Sequence, residues 1–206
     1  MKLLVLVRHG ETEWNSDNRV QGSVDVPLSE RGRSQAAALA VALASRGATF
    51  PVAYTSDLGR ARETARTVQE RLGVPRLVVD PLLREMHCGE WEGRSIDELR
   101  RAEPEAYDAW MDDPVFRIPG GESVQDVRER VDRFFEARAE ELAAADHVLL
   151  VAHGLLNRMV LSRVMGIPPQ RARYFATDNA SVSLFRFTRG RVFCDGWNMG
   201  CHLDGE

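Results

Sequence analysis

Cysteine is scarce in this chain, and the cysteines that are present form no motif. Cys88, Cys194 and Cys201 are odd in number and lack the close paired spacing of a zinc site or a redox-active pair. We therefore expect free thiols, which are typical of proteins in the reducing cytoplasm.

Long hydrophobic runs and an excess of basic residues are also missing. The apolar run before Arg8 has only five residues, too few for the hydrophobic region of a signal peptide, and no stretch approaches the length of a membrane span. The formal net charge of -4 argues against a nucleic-acid-binding surface, although a local arginine cluster can still attract a small anion. We expect a cytoplasmic protein that binds neither a membrane nor nucleic acid.

The composition is that of one globular domain. The chain has 206 residues, of which 44% are hydrophobic and 28% charged, so it is long enough to bury a full core. It contains no internal repeat, low-complexity segment or interdomain linker. We therefore predict a single domain over residues 1–206.

Two predicted strands end in the same dipeptide. The apolar run LLVLV leads through Arg8 into His9 and Gly10, and the run VLLVA, far along the chain, leads into His153 and Gly154. Such runs are typical of buried parallel strands, whose carboxyl ends meet ligands at one edge of a sheet. Because a neutral imidazole is a nucleophile and arginine is a planar cation matched to phosphate, this pattern indicates phosphoryl chemistry on His9.

The rest of the chain alternates predicted strands with predicted helices. Further strands are expected at 52–54, 77–79, 181–187 and 191–194, the last two as a hairpin, and helices at 30–45, 58–72, after Ser95, after Ser123 and at 155–164. Ser56 or Asp57 is expected to cap the helix at 58–72, which places Arg60 in a first turn that attracts anions. Segment 86–121, broken by Gly and Pro with one helix inside it, is expected to form a lid-like insertion. This alternation predicts an α/β fold, a three-layer α/β/α sandwich with a mainly parallel sheet.

Short motifs follow one another along nearly the whole chain. In order they are RHGET at 8–12 with Asn15, QG at 21–22, DVPLS at 25–29, SDLGRA at 56–61, LRE at 83–85, GGES at 120–123 and VAHG at 151–154. This series resembles the histidine phosphatase superfamily, which includes the cofactor-dependent phosphoglycerate mutases. The resemblance implies a phosphoglycerate mutase-like sheet with one reversed strand in its C-terminal part.

The resemblance also implies roles for the residues at the sheet edge. His9 attacks phosphorus and becomes a phosphohistidine, and Glu85 gives a proton to the leaving oxygen before its carboxylate activates water. The resemblance implies a catalytic set of His9, Glu85, His153, Arg8 and Arg60. It implies substrate contacts from Arg8, Asn15, Gln21, Gly22, Arg60, His153 and Gly154. Fixed positive charge suits this reaction, because the transition state spreads its charge over three oxygens.

Three functions are compatible with these residues. The first is a phosphomonoesterase that hydrolyses small phosphorylated metabolites, the second is a cofactor-dependent phosphoglycerate mutase, and the third is an inactive binding module. The third is the weakest, because every residue that the chemistry needs is present. The segment between Glu85 and Gly120 is shorter than the corresponding part of the mutases, which favours hydrolysis. The family's signatures do not distinguish phosphatases of broad specificity from those that hydrolyse cobalamin-pathway nucleotides, sugar bisphosphates or glucosyl-phosphoglycerate.

No metal and no cofactor is expected. The acidic residues form no metal-ligand series, and arginine and histidine already supply positive charge, so activity should survive excess chelator. The exposed sheet edges of this architecture allow a homodimer. Some roles stay open. Glu11 is expected to hydrogen-bond His9 or a neighbouring loop, or to contact the substrate, and His87 lies close to Glu85 in sequence. The aromatic residues of the insertion, such as Trp110, are expected to pack in the core or to shape specificity.

Overall fold

The computed structural model describes residues 1–203, which form a six-stranded sheet between two layers of helices. The strands are β1 (Leu3–Arg8), β2 (Val52–Thr55), β3 (Leu77–Val79), β4 (His147–Ala152), β5 (Val182–Thr188) and β6 (Arg191–Met199). Their order is β3-β2-β4-β1-β5-β6, and β1 to β4 are mutually parallel. β5 is antiparallel to both of its neighbours and is thus the one reversed strand of this sheet. The predicted three-layer α/β fold is confirmed.

The helices cover both faces of the sheet. They are α1 (Glu13–Ser16), α2 (Glu30–Ser45), α3 (Gly59–Leu72), α4 (Ile96–Ala102), α5 (Pro104–Asp112), α6 (Val124–Ala137), α7 (Ala139–Ala144), α8 (Gly154–Met165) and α9 (Pro169–Ala172). Leu39 of α2 and Val68 of α3 pack with Val5 on one face, whereas Phe134 of α6 and Met159 of α8 pack with the other. Because the central strands are buried on both sides, they consist almost wholly of apolar residues. Within residues 1–203, no helix is long and apolar enough to cross a membrane.

The start of α3 differs from the prediction. Neither Ser56 nor Asp57 caps the helix: Ser56 accepts a hydrogen bond from Leu58 N at 3.2 Å, and Asp57 forms an ion pair with Arg84. Instead, the N–H group of Gly59 donates to the Asp25 carboxylate at 2.7 Å. The cap therefore comes from a distant loop, and a prediction from local sequence could not find it.

Segment 86–121 contains two helices, α4 and α5, and not one. The sequence prediction treated Pro104 as a break, but Pro104 begins α5, where its missing N–H group costs nothing. Between these helices and the core, Trp91 is buried and forms an aromatic cluster with Tyr107 and Trp110. The segment is thus held in place by this aromatic cluster and lies beside the carboxyl ends of the strands.

Candidate active site

The register of β1 and β4 brings the two histidines together. Arg8 lies opposite Ala152 in the parallel ladder, and His9 N donates to Ala152 O at 2.9 Å. His9 and His153 follow these paired residues, and their ring centroids lie 5.1 Å apart. The strands that the sequence predicted to share an edge are direct neighbours.

The hydrogen bonds of His9 define its tautomer. Its Nδ1 lies 2.6 Å from the carbonyl oxygen of Gly10, so this nitrogen carries the proton, and Nε2 accepts from Arg60 Nε at 3.3 Å. Burial lowers the pKa of His9 well below 6.5, and the charges of Arg60 and Arg8 lower it further. His9 is therefore a neutral imidazole whose unprotonated nitrogen is Nε2.

Arg60 lies in the first turn of α3 and is 1% exposed. Its guanidinium donates to Val24 O at 2.7 Å and to Gly22 O at 2.8 Å, in addition to His9. Gly22 has φ +53°, and a Cβ there would lie 2.2 Å from an oxygen of Glu92. The loop at 22–24 is thus held between Arg60 and Glu92, and glycine is required at its tightest point.

Arg8 lies at the end of β1 and precedes His9 in the chain. Its Nη1 donates to Thr177 O at 2.6 Å, and its buried Nε has no protein partner. Burial lowers the pKa of Arg8 to about 10, and the negative charge of Glu85 acts in the opposite direction. The guanidinium is still charged at neutral pH, and Nε is a donor that a bound anion would satisfy.

Glu85 is bound at the amino terminus of α8. Its carboxylate accepts from Leu155 N at 3.0 Å, Leu156 N at 3.2 Å and Met86 N at 2.9 Å. Arg130 donates to the carbonyl oxygen of Glu85 at 3.2 Å and so fixes its backbone. These contacts hold the carboxylate next to the turn that carries His153 and Gly154.

His153 and two amide side chains complete the predicted set. Both ring nitrogens of His153 are buried without a protein partner, and burial, followed by the charge of Arg60, lowers its pKa well below 6.5. Asn15 Oδ1 accepts from Asn179 Nδ2 at 3.0 Å, and Gln21 Oε1 is buried without a donor. Several buried polar atoms of the site therefore have no partner among residues 1–203 and are able to hydrogen-bond a ligand.

A cavity of about 220 Å³ lies at this edge of the sheet. Eight of the nine predicted site residues line it: Arg8, His9, Asn15, Gln21, Gly22, Arg60, Glu85 and Gly154. The ninth, His153, is fully buried and does not line the cavity, but its ring contacts the His9 ring. A larger depression of about 520 Å³ lies beside α3 but contains neither histidine.

The sequence prediction missed Arg158 and Thr177, which also line the cavity. Arg158 lies one turn beyond Gly154 on α8, so helical spacing from the His-Gly turn was a usable signal. Thr177 comes from the chain between α9 and β5, whose path no local pattern predicts. Trp110, whose role the sequence left open, also lines the cavity and comes from α5, the helix that the prediction lacked.

Glu11 and His87, whose roles were left open, lie in different settings. Glu11 contacts Ser29 and Arg31, whereas the orientation of the His9 ring comes from its hydrogen bond to Gly10. His87 is exposed and accepts from Gly89 N at 3.2 Å.

Among residues 1–203, no group of three His, Cys, Asp or Glu side chains is placed to hold a metal ion.

Comparison with known proteins identifies the family. Residues 4–200 match the histidine phosphatase superfamily (branch 1), and the chain belongs to that superfamily. The class of enzyme predicted from the sequence, a phosphoric monoester hydrolase of the histidine phosphatase type, is thereby confirmed.

Individual relatives carry different names. The probable phosphoglycerate mutase GpmB of Cronobacter sakazakii is 35% identical over 202 residues, covering 96% of this chain and 90% of the relative. Among solved structures, a putative alpha-ribazole-5'-P phosphatase of Escherichia coli has 32% identity and a TM-score of 0.85, with 96% of each chain covered. The mycobacterial glucosyl-3-phosphoglycerate phosphatase in complex with VO3 has 34% identity and a TM-score of 0.84, covering 96% of this chain and 99% of that one.

Proposed function

We propose that this protein hydrolyses small phosphorylated metabolites through a phosphohistidine intermediate on His9. The observation that carries the proposal is the orientation of the His9 ring. Its Nδ1 is tied to Gly10 O, so Nε2, which accepts from Arg60 Nε in this structure, is the unprotonated nitrogen that can attack phosphorus. A neutral, buried and fixed imidazole beside two guanidinium groups suits attack on a phosphoryl group.

In the first step, the Nε2 electron pair forms a bond to phosphorus while the bond from phosphorus to the ester oxygen breaks. Glu85 is the proton donor in this proposal, and its proton goes to the departing oxygen. The alcohol then leaves, and the phosphoryl group stays on His9.

In the second step, water attacks phosphorus while the bond from Nε2 to phosphorus breaks, and the electron pair returns to Nε2. The Glu85 carboxylate takes the proton from water, so the enzyme regains its starting state. Positive charge from Arg8 and Arg60 stabilises both transition states, and His153 gains a partner for its free ring nitrogens. Asn15, Gln21 and the backbone at Gly22 and Gly154 supply further polar contacts in this proposal.

A phosphoglycerate mutase is the second candidate, because relatives of nearly the same length carry that name. The short segment after Glu85 does not separate this chain from those relatives, since 90% of the Cronobacter protein is covered. A mutase returns the phosphoryl group to a second hydroxyl, whereas a phosphatase gives it to water.

The deciding experiment measures phosphate release from a panel of phosphorylated metabolites, with interconversion of the two monophosphoglycerates followed in parallel. We expect release from several esters without interconversion. Fast interconversion with little free phosphate would assign the protein to the mutases. Metal-independent turnover stays a prediction, which activity in excess chelator tests directly.

A further inference from the structure

We propose that Arg130, fixed by Glu122, is a positioning residue for the acid Glu85, so that proton donation to the leaving group depends on a side chain that does not itself touch the substrate. This proposal rests on the proposed function and goes further, because it names the support that holds the acid in place.

The first observation is that the Arg130 guanidinium uses all of its donors within the protein. Nη1 donates to Leu82 O at 2.9 Å and to Arg84 O at 3.0 Å, and Nη2 donates to Glu85 O at 3.2 Å. Nε donates to Glu122 Oε1 at 2.7 Å, and Nη2 also donates to Glu122 Oε2 at 3.0 Å. A guanidinium has five N–H groups, so none remains for a ligand. Arg130 is therefore suited to support other residues and not to bind phosphate.

The second observation is the irregular backbone that leads to the acid. Pro81–Leu83 form one turn of 3-10 helix, and the chain leaves the helical conformation at Arg84, where ψ is 154°. Among residues 1–203, no backbone N–H group donates to the carbonyl oxygens of Leu82, Arg84 and Glu85. Backbone groups outside helices and sheets need other partners, and here one guanidinium supplies them. The path of the chain at Glu85 therefore depends on Arg130.

The third observation is that Glu122 fixes Arg130 from the other side. The two side chains form a bidentate ion pair, in which Arg130 is 11% exposed and Glu122 is 24% exposed. Glu122 Oε2 also accepts from His87 N at 2.9 Å, and Glu122 N donates to His87 O at 2.8 Å. The ion pair is thus joined to the chain both before and after Glu85.

These contacts anchor the backbone of Glu85, whereas its carboxylate is bound at the amino terminus of α8. A proton donor must lie within hydrogen-bond reach of the leaving oxygen, and a misplacement of about 1 Å can lower a rate by roughly 100-fold. Loss of the backbone anchor should therefore impair proton transfer. It should spare the binding of phosphate, which the proposed function assigns to Arg8 and Arg60.

The test compares two esters in Arg130→Lys, because lysine keeps the charge but has three donors instead of five. The kcat/KM on an alkyl phosphate, which reports the first step, should fall by roughly 10- to 100-fold. On p-nitrophenyl phosphate it should fall much less, because the phenolate leaves without a proton. The inhibition constant of inorganic phosphate should not change.

The matched control is Arg133→Lys, at an exposed position on the same helix, which should change none of these quantities. Equal losses on both esters, or no loss on either, would overturn the proposal. A weaker inhibition by phosphate that accounts for the whole loss would also overturn it, because the pocket itself would then be damaged.

Two further variants show whether the effect passes through Glu85. Glu122→Gln keeps the Arg130 side chain but weakens its anchor, so it should show the same selective loss at a smaller size, and it provides the test if Arg130→Lys does not fold. In a Glu85→Gln background, Arg130→Lys should cause no further loss on the alkyl ester, because the acid is already absent. An additional loss as large as that in the wild-type background would overturn the proposal.

A measurement without turnover separates this proposal from the proposed function. The amide groups of Leu155 and Leu156 lie in the first turn of α8, where an intrahelical acceptor is lacking, and both donate to the Glu85 carboxylate. Their hydrogen exchange, followed by NMR, therefore reports the position of that carboxylate. Faster exchange in Arg130→Lys but not in Arg133→Lys supports the positioning role even if no ester is hydrolysed. Unchanged exchange in Arg130→Lys overturns it even if the phosphatase activity is demonstrated.

Discussion

The imidazole rings of His9 and His153 lie edge to face, with their centroids 5.1 Å apart and their planes at 61°. The parallel register of β1 and β4 imposes this arrangement, because the two histidines follow Arg8 and Ala152, which lie opposite each other. Two buried imidazoles next to Arg60 cannot readily take up protons, and this has consequences for stability and for catalysis.

Stability should fall on acidification through these histidines. Burial beside arginines lowers the pKa of His9 and His153 well below 6.5, so near and below that pH the unfolded chain binds more protons than the folded protein. The free energy of unfolding should therefore decrease as the pH falls from about 7.5 to about 5. Urea denaturation across this range should show a smaller decrease for His153→Gln. His87→Gln, at an exposed position, should behave like the wild type. Equal slopes for all three proteins would contradict the assignment.

Arg60 is predicted to hold the loop at 22–24 as well as to bind phosphate. Arg60→Lys keeps the charge but cannot donate to Gly22 O, Val24 O and His9 together. We expect a loss of about 1.5–3 kcal/mol in the free energy of unfolding. The kcat/KM should fall with it. Arg66→Lys, on an exposed part of the same helix, should change neither quantity. An Arg60→Lys protein of normal stability would show that the loop does not depend on the guanidinium.

Gly22 is predicted to be required for steric reasons. In Gly22→Ala, the new Cβ would lie 2.2 Å from Glu92 Oε1 and 2.9 Å from Cys88 N, at φ +53°. Gly47→Ala is a matched control, because Gly47 has φ +66° but no atom within 4 Å of a Cβ. The control should lose only about 1–2 kcal/mol in the free energy of unfolding. Gly22→Ala should lose more and should raise KM, and equal thermal unfolding temperatures for the two variants would contradict the steric explanation.

Glu85 is predicted to matter most for poor leaving groups. An alkoxide leaves slowly without a proton, so Glu85→Gln should lower kcat on an alkyl phosphate by roughly 100- to 10,000-fold. With p-nitrophenyl phosphate the loss should be much smaller, because the phenolate leaves without protonation. Glu90→Gln, at an exposed position, should leave both rates unchanged. Near-normal turnover of the alkyl ester by Glu85→Gln would exclude Glu85 as the acid.

The sequence predicted those features that depend on short-range patterns. The apolar runs before His9 and His153 identified the two central strands, because strands buried on both faces need continuous apolar residues. Ser29 accepts from Gly32 N at 3.0 Å, and a serine directly before a helix is a local signal for such a cap. The position of His9 and His153 at the same edge of the sheet followed from the parallel arrangement of β1 and β4.

Features that depend on distant parts of the chain were not predictable. The Asp25 carboxylate that binds Gly59 N belongs to another loop, and local sequence gave the wrong cap for α3. The position of Arg158 in the cavity depends on Phe175, whose carbonyl group comes from the chain after α9. The beginning of α5 at Pro104 was missed because proline stops a helix in its interior but is tolerated at its first position.

The central claim is that phosphorus is bonded to His9 during turnover. The most direct measurement incubates the protein with a radiolabelled phosphate ester, quenches in alkali and locates the label by mass spectrometry. We predict an acid-labile phosphoryl group on His9 that is lost in His9→Ala together with the activity. A fully active His9→Ala protein, or turnover without any labelled histidine, would contradict the proposal.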